Sequence, residues 1–372
     1  RYIYRVCCSG VITEFMWRLY LRAVGVLVLV NLIVVVVTMN VGYVMPGGTI
    51  AFESNRQGNS EIFLTDTHRP LLVNVTEFFG EDNRPVWSPD GRFLAFEVFG
   101  NQRNPRLSLL GGGGKAVYVM DVDNRNRTWR ATPRNMQAQE PSWSADGNYI
   151  AVAGRADVQG TNDVFVVSIY DQDFQQITDT PGIVEYNPVF SPDGLRLAFG
   201  LLNTNTQQPD SIFVLPYRER GLALIAQPSP EQAADQPIRV TEFPEASSPL
   251  WTADGDVLFT YRRGVLRHLH VSQPVENSPD IALNNVRVYM EPNFQLSPDG
   301  EWVVFSAASD PGQFWRAIYI MRTDGTDIRR VTFGHEPGGN QWRDINPSWR
   351  PRPDGPRIPE IGTMPQPYTA SS

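Results

Sequence analysis

Six aspartates stand at corresponding points of the sequence, and carboxylates that converge can bind a cation or act as acids and bases. Each lies in a tetrapeptide of the Ser-Pro-Asp-Gly kind, and the six residues are Asp90, Asp146, Asp193, Asp254, Asp299 and Asp354. That tetrapeptide is also a turn signal, because Ser accepts a local hydrogen bond, Pro presets the backbone and Gly closes the turn. We therefore predict that these carboxylates cap turns and are not catalytic.

Two histidines could hold a metal ion. His268 and His270 lie two residues apart, so on a β-strand their side chains share one face. No cluster of carboxylates adjoins them in the sequence, and the chain has only four histidines. A solvated strand face is the better interpretation, and we expect no metal, no cofactor and no catalytic residue.

A run of glycines raises the question of phosphate binding. Gly111–Gly114 precede Lys115, the only lysine of the chain beside 31 arginines. A Walker A loop needs Gly at position 109 and Ser or Thr at position 116, where this chain has Leu109 and Ala116. The run is therefore interpreted as a flexible linker.

The composition indicates a packed domain that is rich in turns. The 372 residues include 41% hydrophobic and 11% aromatic residues, with 30 Gly and 30 Pro, which argues against a helical bundle. Residues 1–45 carry a net charge of +3 and the rest of the chain −11. The acidic main part argues against nucleic acid as a partner. The two cysteines, Cys7 and Cys8, are adjacent and form neither a disulfide framework nor a metal motif.

An uncharged stretch near the N-terminus predicts one transmembrane helix. Residues 23–52 contain no charged residue, and their central part, Val24–Val37, is almost entirely Val, Leu and Ile. About 20 apolar residues are enough to cross a bilayer. Arg18 and Arg22 precede the stretch, which by the positive-inside rule places residues 1–20 in the cytoplasm. We expect an anchor over residues 21–45 in the cell (inner) membrane, with Asn31 as a polar contact inside the bilayer.

A Pro-x-aromatic pattern recurs six times at an average spacing of about 52 residues, and its aromatic residues are Trp87, Trp143, Phe190, Trp251, Phe294 and Trp349. A turn tetrapeptide follows each of them, and strand-like runs come after the turn. Four antiparallel strands per unit of about 50 residues are typical of a β-propeller. We predict an all-β, six-bladed β-propeller over residues 46–355, closed by pairing of the Trp349 strand with Thr49–Phe52.

The unit that begins at Trp87 shows the pattern most completely. It reads Trp87-Ser88-Pro89-Asp90-Gly91, then Leu94-Ala95-Phe96, then Tyr118-Val119-Met120-Asp121. This unit resembles the TolB-like β-propeller repeat family. The resemblance implies the propeller fold; TolB itself has a small α/β domain before its propeller and is periplasmic, whereas we expect an anchor here. Propellers joined to prolyl-oligopeptidase-type hydrolases share such repeats but require a Gly-x-Ser-x-Gly elbow, which this sequence does not contain.

Three segments exceed a minimal propeller and are candidate contacts with partners. They are the loop 100–115, the loop 216–237 and a Pro-rich C-terminal tail, residues 356–372. Loops of this length without strand character are usually functional or disordered. The candidate contact residues, with Asn31 from the helix, are Arg103, Arg106, Tyr217, Leu222, Leu224 and Ile225.

These observations predict a non-enzymatic, single-pass membrane protein with its propeller on the periplasmic or extracellular side. We expect a protein–protein interaction scaffold or accessory subunit of a larger membrane or envelope complex. Its partners would be other membrane or envelope proteins and the lipid bilayer. Two alternatives stay open: an extracytoplasmic ligand-binding or hydrolase-type propeller that uses its central channel, and a module that attaches to the outer envelope or cell wall.

Overall fold

The computed structural model describes residues 48–351, except 68–71, 77–79, 101–113, 126, 157–159, 204–207, 218–237, 240, 242–245, 262–264, 270–279, 282–288, 309–313 and 335–340. The described part is all-β, as the sequence predicts. The expected transmembrane helix (21–45) and C-terminal tail (356–372) lie outside the described residues. Within the described ranges, no helix is long and apolar enough to cross a membrane.

Twenty-four strands occur in the described part of the chain. The first twelve are β1 (Thr49–Ser54), β2 (Glu61–Asp66), β3 (Val73–Asn74), β4 (Glu81–Trp87), β5 (Phe93–Phe99), β6 (Lys115–Asp121), β7 (Thr128–Arg130), β8 (Gln137–Trp143), β9 (Tyr149–Arg155), β10 (Asp163–Ser168), β11 (Phe174–Gln176) and β12 (Ile183–Phe190). The other twelve are β13 (Arg196–Asn203), β14 (Gln208–Pro216), β15 (Ile238–Arg239), β16 (Ala246–Trp251), β17 (Val257–Tyr261), β18 (Val265–Leu269), β19 (Asp280–Ile281), β20 (Tyr289–Leu296), β21 (Trp302–Ala308), β22 (Ala317–Arg322), β23 (Arg329–Arg330) and β24 (Asp344–Trp349).

These strands pair in six four-stranded antiparallel sheets, one for each aromatic residue of the repeat. Sheet 1 has the order β24-β1-β2-β3, and sheets 2 to 6 consist of β4–β7, β8–β11, β12–β15, β16–β19 and β20–β23. The innermost strands, β24, β4, β8, β12, β16 and β20, contact one another in that order, and β20 also contacts β24. This closed cycle of innermost strands is the architecture of a β-propeller, with the sheets as blades around an axis.

Sheet 1 is built from both ends of the described chain. Ile50 in β1 pairs with Trp349 in β24, and Ala51 pairs with Ser348. The Arg350 N–H also donates to the Thr49 carbonyl at 2.8 Å. The predicted closure of the ring is therefore confirmed. It covers two strand edges that would otherwise be free to pair with other chains.

The turn that follows an innermost strand makes the hydrogen bonds that its residue types predict. In sheet 2 the Ser88 hydroxyl donates to Asp90 Oδ1 at 2.5 Å and accepts the Phe93 N–H at 2.8 Å. The same two bonds recur in four further turns, at Ser144, Ser191, Thr252 and Ser297. Turn capping by these five aspartates is confirmed, and Asp354 lies outside the described residues.

The repeated aromatic residue packs between neighbouring sheets. Trp143 Nε1 donates to the Val86 carbonyl at 3.0 Å, and Trp251 Nε1 donates to the Val189 carbonyl at 3.1 Å. Both indole rings are buried. Each bond joins the innermost strand of one sheet to that of the preceding sheet, so the aromatic residue fills the core and fixes the two sheets together.

In five sheets a buried threonine follows the short fourth strand. Its side chain takes the place of a backbone hydrogen-bond partner that a longer fourth strand would supply to the third strand. Its hydroxyl accepts a backbone N–H of the third strand at 2.8–3.2 Å. The pairs are Thr76 with Ile62, Thr132 with Val117, Thr178 with Val164, Thr241 with Ile212, and Thr332 with Ile318. The outermost strand can therefore be two or three residues long without leaving buried N–H groups unpaired.

Candidate functional site

A bulge in the innermost strand of five sheets brings one side chain of each to the propeller axis. In five sheets the residue three positions before the repeated aromatic has a positive φ of 48–60°, which is uncommon for residues other than glycine. These residues are Arg84, Glu140, Asn187, Ser248 and Asn346. The strand register shifts at each of them, as a β-bulge requires.

The five bulge residues line one cavity on the axis, which we call the axial cavity. Its volume is about 100 Å³. All six innermost strands contribute to it, through Arg84, Glu140, Asn187, Ser248, Asn293 and Asn346 among others. A space of this size admits a small polar group, but it is well below the size of a pocket for a drug-sized ligand.

Carboxylates of the preceding sheet accept the backbone N–H groups that the bulges leave without a strand partner. The Glu140 N–H donates to Glu97 Oε1 at 2.7 Å, and the Asn187 N–H donates to Glu140 Oε2 at 2.6 Å. The Arg84 N–H donates to Glu53 Oε2 at 3.4 Å. These bonds stabilise a backbone conformation that costs energy in isolation.

Arg84 is the cation of the axial cavity. Its guanidinium lies 3.1 Å from Glu140 Oε1 and 3.6 Å from Glu97 Oε1, and its Nη1 donates to Asn187 Oδ1 at 2.9 Å. Lys115 Nζ lies 3.9 Å from the other oxygen of Glu97. Glu97 and Glu140 thus pair with the guanidinium, Glu53 accepts the backbone N–H of the same residue, and a second cation lies nearby.

Amide and hydroxyl groups complete the circuit on the other side of the axis. Asn187 Nδ2 donates to Ser248 Oγ at 3.3 Å, and Ser248 Oγ donates to Asn293 Oδ1 at 3.5 Å. Asn293 Nδ2 then donates to Asn346 Oδ1 at 2.6 Å, and Asn346 Nδ2 donates to Glu53 Oε2 at 2.6 Å. Because Glu53 also accepts the Arg84 N–H, the polar groups form a closed hydrogen-bonded circle, the axial ring.

Burial sets the protonation behaviour of the axial ring. Burial raises the pKa of Glu53, against the opposing effect of its hydrogen bond from Asn346. Burial also raises the pKa of Glu97, against the attraction of Arg84. For Arg84 burial works to lower the pKa, but the carboxylates of Glu140, Glu97 and Glu53 outweigh it, and the pKa is raised. The guanidinium is therefore held charged.

A carboxyl pair away from the axis also has raised pKa values. Glu185, in β12, is fully buried, and its pKa is raised to about 8 by burial and by the nearby charges of Asp163 and Asp179. The Thr180 hydroxyl donates to Glu185 Oε1 and opposes the shift. Burial raises the pKa of Asp163 as well. Within the described residues, no three His, Cys, Asp or Glu side chains form a metal site.

Most of the contact residues expected from the sequence lie outside the described residues: Asn31, Arg103, Arg106, Leu222, Leu224 and Ile225. Tyr217 is described, and its ring is 7% exposed and packs edge-on against Phe190 at 5.2 Å. His268 lies in β18, and His270 lies outside the described residues. The role of Tyr217 in partner contact stays a prediction.

The axial ring was missed from the sequence, although a signal for it was present. Each bulge residue immediately precedes the proline of a Pro-x-aromatic unit, and Arg84, Glu140, Asn187, Ser248 and Asn346 are all polar. A polar residue at a fixed position before a buried aromatic indicates a side chain that avoids the core. The convergence of these positions on one axis depends on the closed ring.

Comparison with known proteins supports the resemblance to TolB-like repeats. No family model matches the chain. A TolB homologue of Chlorobium chlorochromatii is 28% identical over 153 residues, which are 41% of this chain and 31% of that protein. An uncharacterized peptidase of Bacillus subtilis, YuxL, is 25% identical over 173 residues, 45% of this chain and 23% of that protein. The matches thus span less than a third of either relative.

Solved structures resemble this chain in fold. TolB from Acinetobacter baumannii superimposes with a TM-score of 0.56 at 16% identity, covering 82% of this chain and 67% of that one. Hydrazine synthase of Kuenenia stuttgartiensis superimposes with a TM-score of 0.60 at 14% identity, covering 84% of this chain and 48% of that one. At these identities the likeness establishes the propeller fold alone. The resemblance to the TolB-like β-propeller repeat family is confirmed.

Proposed function

We propose that this protein is a membrane-anchored, non-enzymatic TolB-like propeller that acts as a protein–protein interaction scaffold or accessory subunit of a membrane or envelope complex. The axial ring is the observation that carries the proposal. Its charged and amide groups are bonded to one another, as Arg84 is to Glu140 and Asn293 is to Asn346. Polar groups engaged in this way stabilise the six-sheet ring, whereas a catalytic site needs a group poised toward a substrate.

The proposed organisation places the propeller, residues 46–355, on the periplasmic or extracellular side. Residues 1–20 are cytoplasmic, residues 21–45 form the anchor, and residues 356–372 are an extended tail. Partner proteins contact the loops and the membrane-proximal surface through the candidate residues named above. The match to a TolB homologue supports the propeller part of this proposal.

Purification of the full chain in mild detergent tests the scaffold role. We expect it to co-purify with membrane or envelope proteins, and replacement of Leu222, Leu224 and Ile225 by Ser to weaken this association. The matched control is Leu195→Ser, which removes an exposed leucine, 62% accessible, from a turn of the propeller. Retention of all partners by the triple variant contradicts the assigned contact site, and recovery of a lone chain contradicts the scaffold role.

Proteolysis of intact cells or spheroplasts tests the topology. Protease added outside should remove the propeller, because the positive-inside rule places it there. Cleavage restricted to inverted vesicles would reverse the assignment. A variant with Arg18 and Arg22 replaced by Ser, and two arginines placed after residue 45, should invert the pattern in the same assay.

Ligand binding in the axial cavity is the second candidate function. The cluster of Arg84 with Glu53, Glu97 and Glu140 favours it, because an incompletely neutralised group of carboxylates can accept a cationic group. Native mass spectrometry of the purified chain would then detect a bound ion or small molecule. Loss of that species in Glu140→Gln, with partner association unchanged, would favour this function over the scaffold.

A further inference from the structure

A second cleft lies off the axis, between sheets 2 and 3, and we call it the sheet 2–3 cleft. Its volume is about 240 Å³. It lies where β5 and β9 end and where β6, β8 and β10 begin. The described lining residues are Phe99, Gly114, Lys115, Gln137, Ala138, Gln139, Ala153, Arg155 and Asn162. These residues differ from those that line the axial cavity.

The described lining of the sheet 2–3 cleft is positively charged. Lys115 and Arg155 line it, and among the described lining residues none is acidic. The nearest carboxylate for which the structure gives a distance is Glu97, 3.9 Å from Lys115 Nζ. Glu97 is buried and already serves Arg84 and the Glu140 N–H. Glu97 is therefore shared between Arg84 and Lys115, and it leaves part of the positive charge of the cleft uncompensated.

Two glutamines hold the cations in place. Arg155 Nη2 donates to Gln137 Oε1 at 2.9 Å, and Lys115 Nζ donates to Gln139 Oε1 at 2.7 Å. Because both amide oxygens are engaged, the Nε2 groups of the same amides are left as donors. Gly114 makes room for this arrangement, since a Cβ there would lie 3.0 Å from Cδ of Gln137 and 3.1 Å from its Nε2.

Arg155 carries an unused donor. In the described part of the chain its Nε is buried and has no hydrogen-bond partner. A buried donor without an acceptor is unfavourable, and one on a guanidinium more so than a neutral one. An anion bound in the cleft would compensate the positive charge of the Arg155 guanidinium, which lines it.

We propose that the sheet 2–3 cleft binds a carboxylate group, held by Arg155 and Lys115 and by the amides of Gln137 and Gln139. Carboxylate matches the site because its two oxygens accept several N–H donors in a plane, as guanidinium and amide groups present them. The small volume fits a short free acid or the terminal residue of a peptide. The proposal does not depend on the scaffold function.

Lys115 makes the proposal directly testable, because it is the only lysine in the chain. We would treat the full chain in carboxylate-free buffer with limiting amounts of an acetylating reagent and quantify acetyl-Lys115 by peptide mass spectrometry. Its side chain is 41% exposed, so it is accessible without ligand. Succinate should slow acetylation of Lys115 saturably, by about tenfold, while the rate at the α-amino group stays constant.

Peptides distinguish the two sources of a carboxylate. A short peptide with a free C-terminus that protects Lys115 at lower concentration than succinate, while its C-terminal amide does not, identifies a chain terminus as the ligand. Protection by succinate alone identifies a free acid. Absence of saturable protection by any carboxylate, or equal protection by chloride at the same ionic strength, overturns the proposal.

Variants establish whether the assigned residues are responsible. Arg155→Gln should raise the succinate concentration needed for protection at least tenfold, because the charged guanidinium that lines the cleft is lost. Gly114→Ala keeps both cations but displaces Gln137, and should raise it severalfold even if Arg155→Gln fails to fold. The control Arg322→Gln, on β22 of sheet 6, should behave like the parent. Unchanged protection in Gly114→Ala together with Arg155→Gln overturns the site.

Discussion

Arg84 and Glu140 form an ion pair between the innermost strands of sheets 2 and 3, with 3.1 Å between Nη1 and Oε1. Both residues occupy the left-handed position of a bulge. Glu140 uses its other oxygen to accept the Asn187 N–H of sheet 4. One carboxylate therefore connects three consecutive sheets, and the axial ring is a structural fastening as well as the lining of a cavity.

Removal of the axial cation should destabilise the propeller. We expect Arg84→Met to lower the free energy of unfolding by about 2–4 kcal/mol, because Glu97 and Glu140 would remain buried without their cation. Urea denaturation measures this change. The control Arg322→Met removes an exposed pair with Glu301 and should cost less than about 1 kcal/mol. Equal costs for the two variants would argue against a stabilising role of Arg84.

Glu185 should make stability depend on pH. The pKa of Glu185 is about 8 in the folded protein and ordinarily 4.5, so folding takes up a proton between these values. The contribution of protonated Glu185 to the free energy of unfolding is therefore fully present below about pH 4.5 and is lost as the pH rises toward 8. Glu185→Gln, which stays neutral, should reduce the fall in Tm between pH 5 and pH 8 by several degrees. The exposed control Glu301→Gln should leave that fall unchanged.

Closure of the ring should be essential for the whole domain. Deletion of residues 345–372 removes almost all of β24, so we expect a Tm lower by more than ten degrees or loss of cooperative unfolding. Deletion of residues 356–372 alone leaves β24 intact and is the control, for which we expect a Tm within a degree or two of the parent. If the variant that lacks residues 345–372 had the same Tm as the full-length chain, closure through sheet 1 would be contradicted.

The hydroxyl of the turn serine should contribute to the free energy of unfolding through its two hydrogen bonds. Ser88→Ala removes the bond to Asp90 and the acceptor for the Phe93 N–H, and should cost about 1–3 kcal/mol because the N–H is buried. Thermal or urea unfolding measures it. Asp90→Asn retains an acceptor at the same position and should cost less. A larger cost for Asp90→Asn than for Ser88→Ala would indicate a role of the carboxylate beyond the turn.

The fold was readable from the sequence because its determinants are local. Ser88 and Asp90 form their turn within four residues, so the tetrapeptide alone predicts it. The apolar runs after each turn predict the strands, and the unmatched Trp349 strand predicts the closure. The six-fold recurrence then amplifies each local signal.

The axial ring and the sheet 2–3 cleft could not be derived in this way. Arg84 and Asn187 are brought together by three consecutive sheets, and no local pattern states which residues converge. Lys115 is a second example. In the sequence it only ended a glycine run that does not match a phosphate-binding loop, whereas its chemistry depends on Gln139 of the next sheet and on Glu97. Long-range placement of this kind is specified by the whole ring.

Sheet 1 can be completed only at a late stage of translation, because its strands come from distant parts of the sequence. Thr49–Ser54 is translated before its partner Asp344–Trp349, which follows roughly 300 residues later, about 15–60 s at ordinary rates of elongation. Throughout that interval one edge of β1 has no partner strand, while sheets 2 to 6 consist of strands close in sequence and can form as they are translated. Until the last strand arrives, the nascent chain therefore exposes one particular strand edge to pairing with other chains.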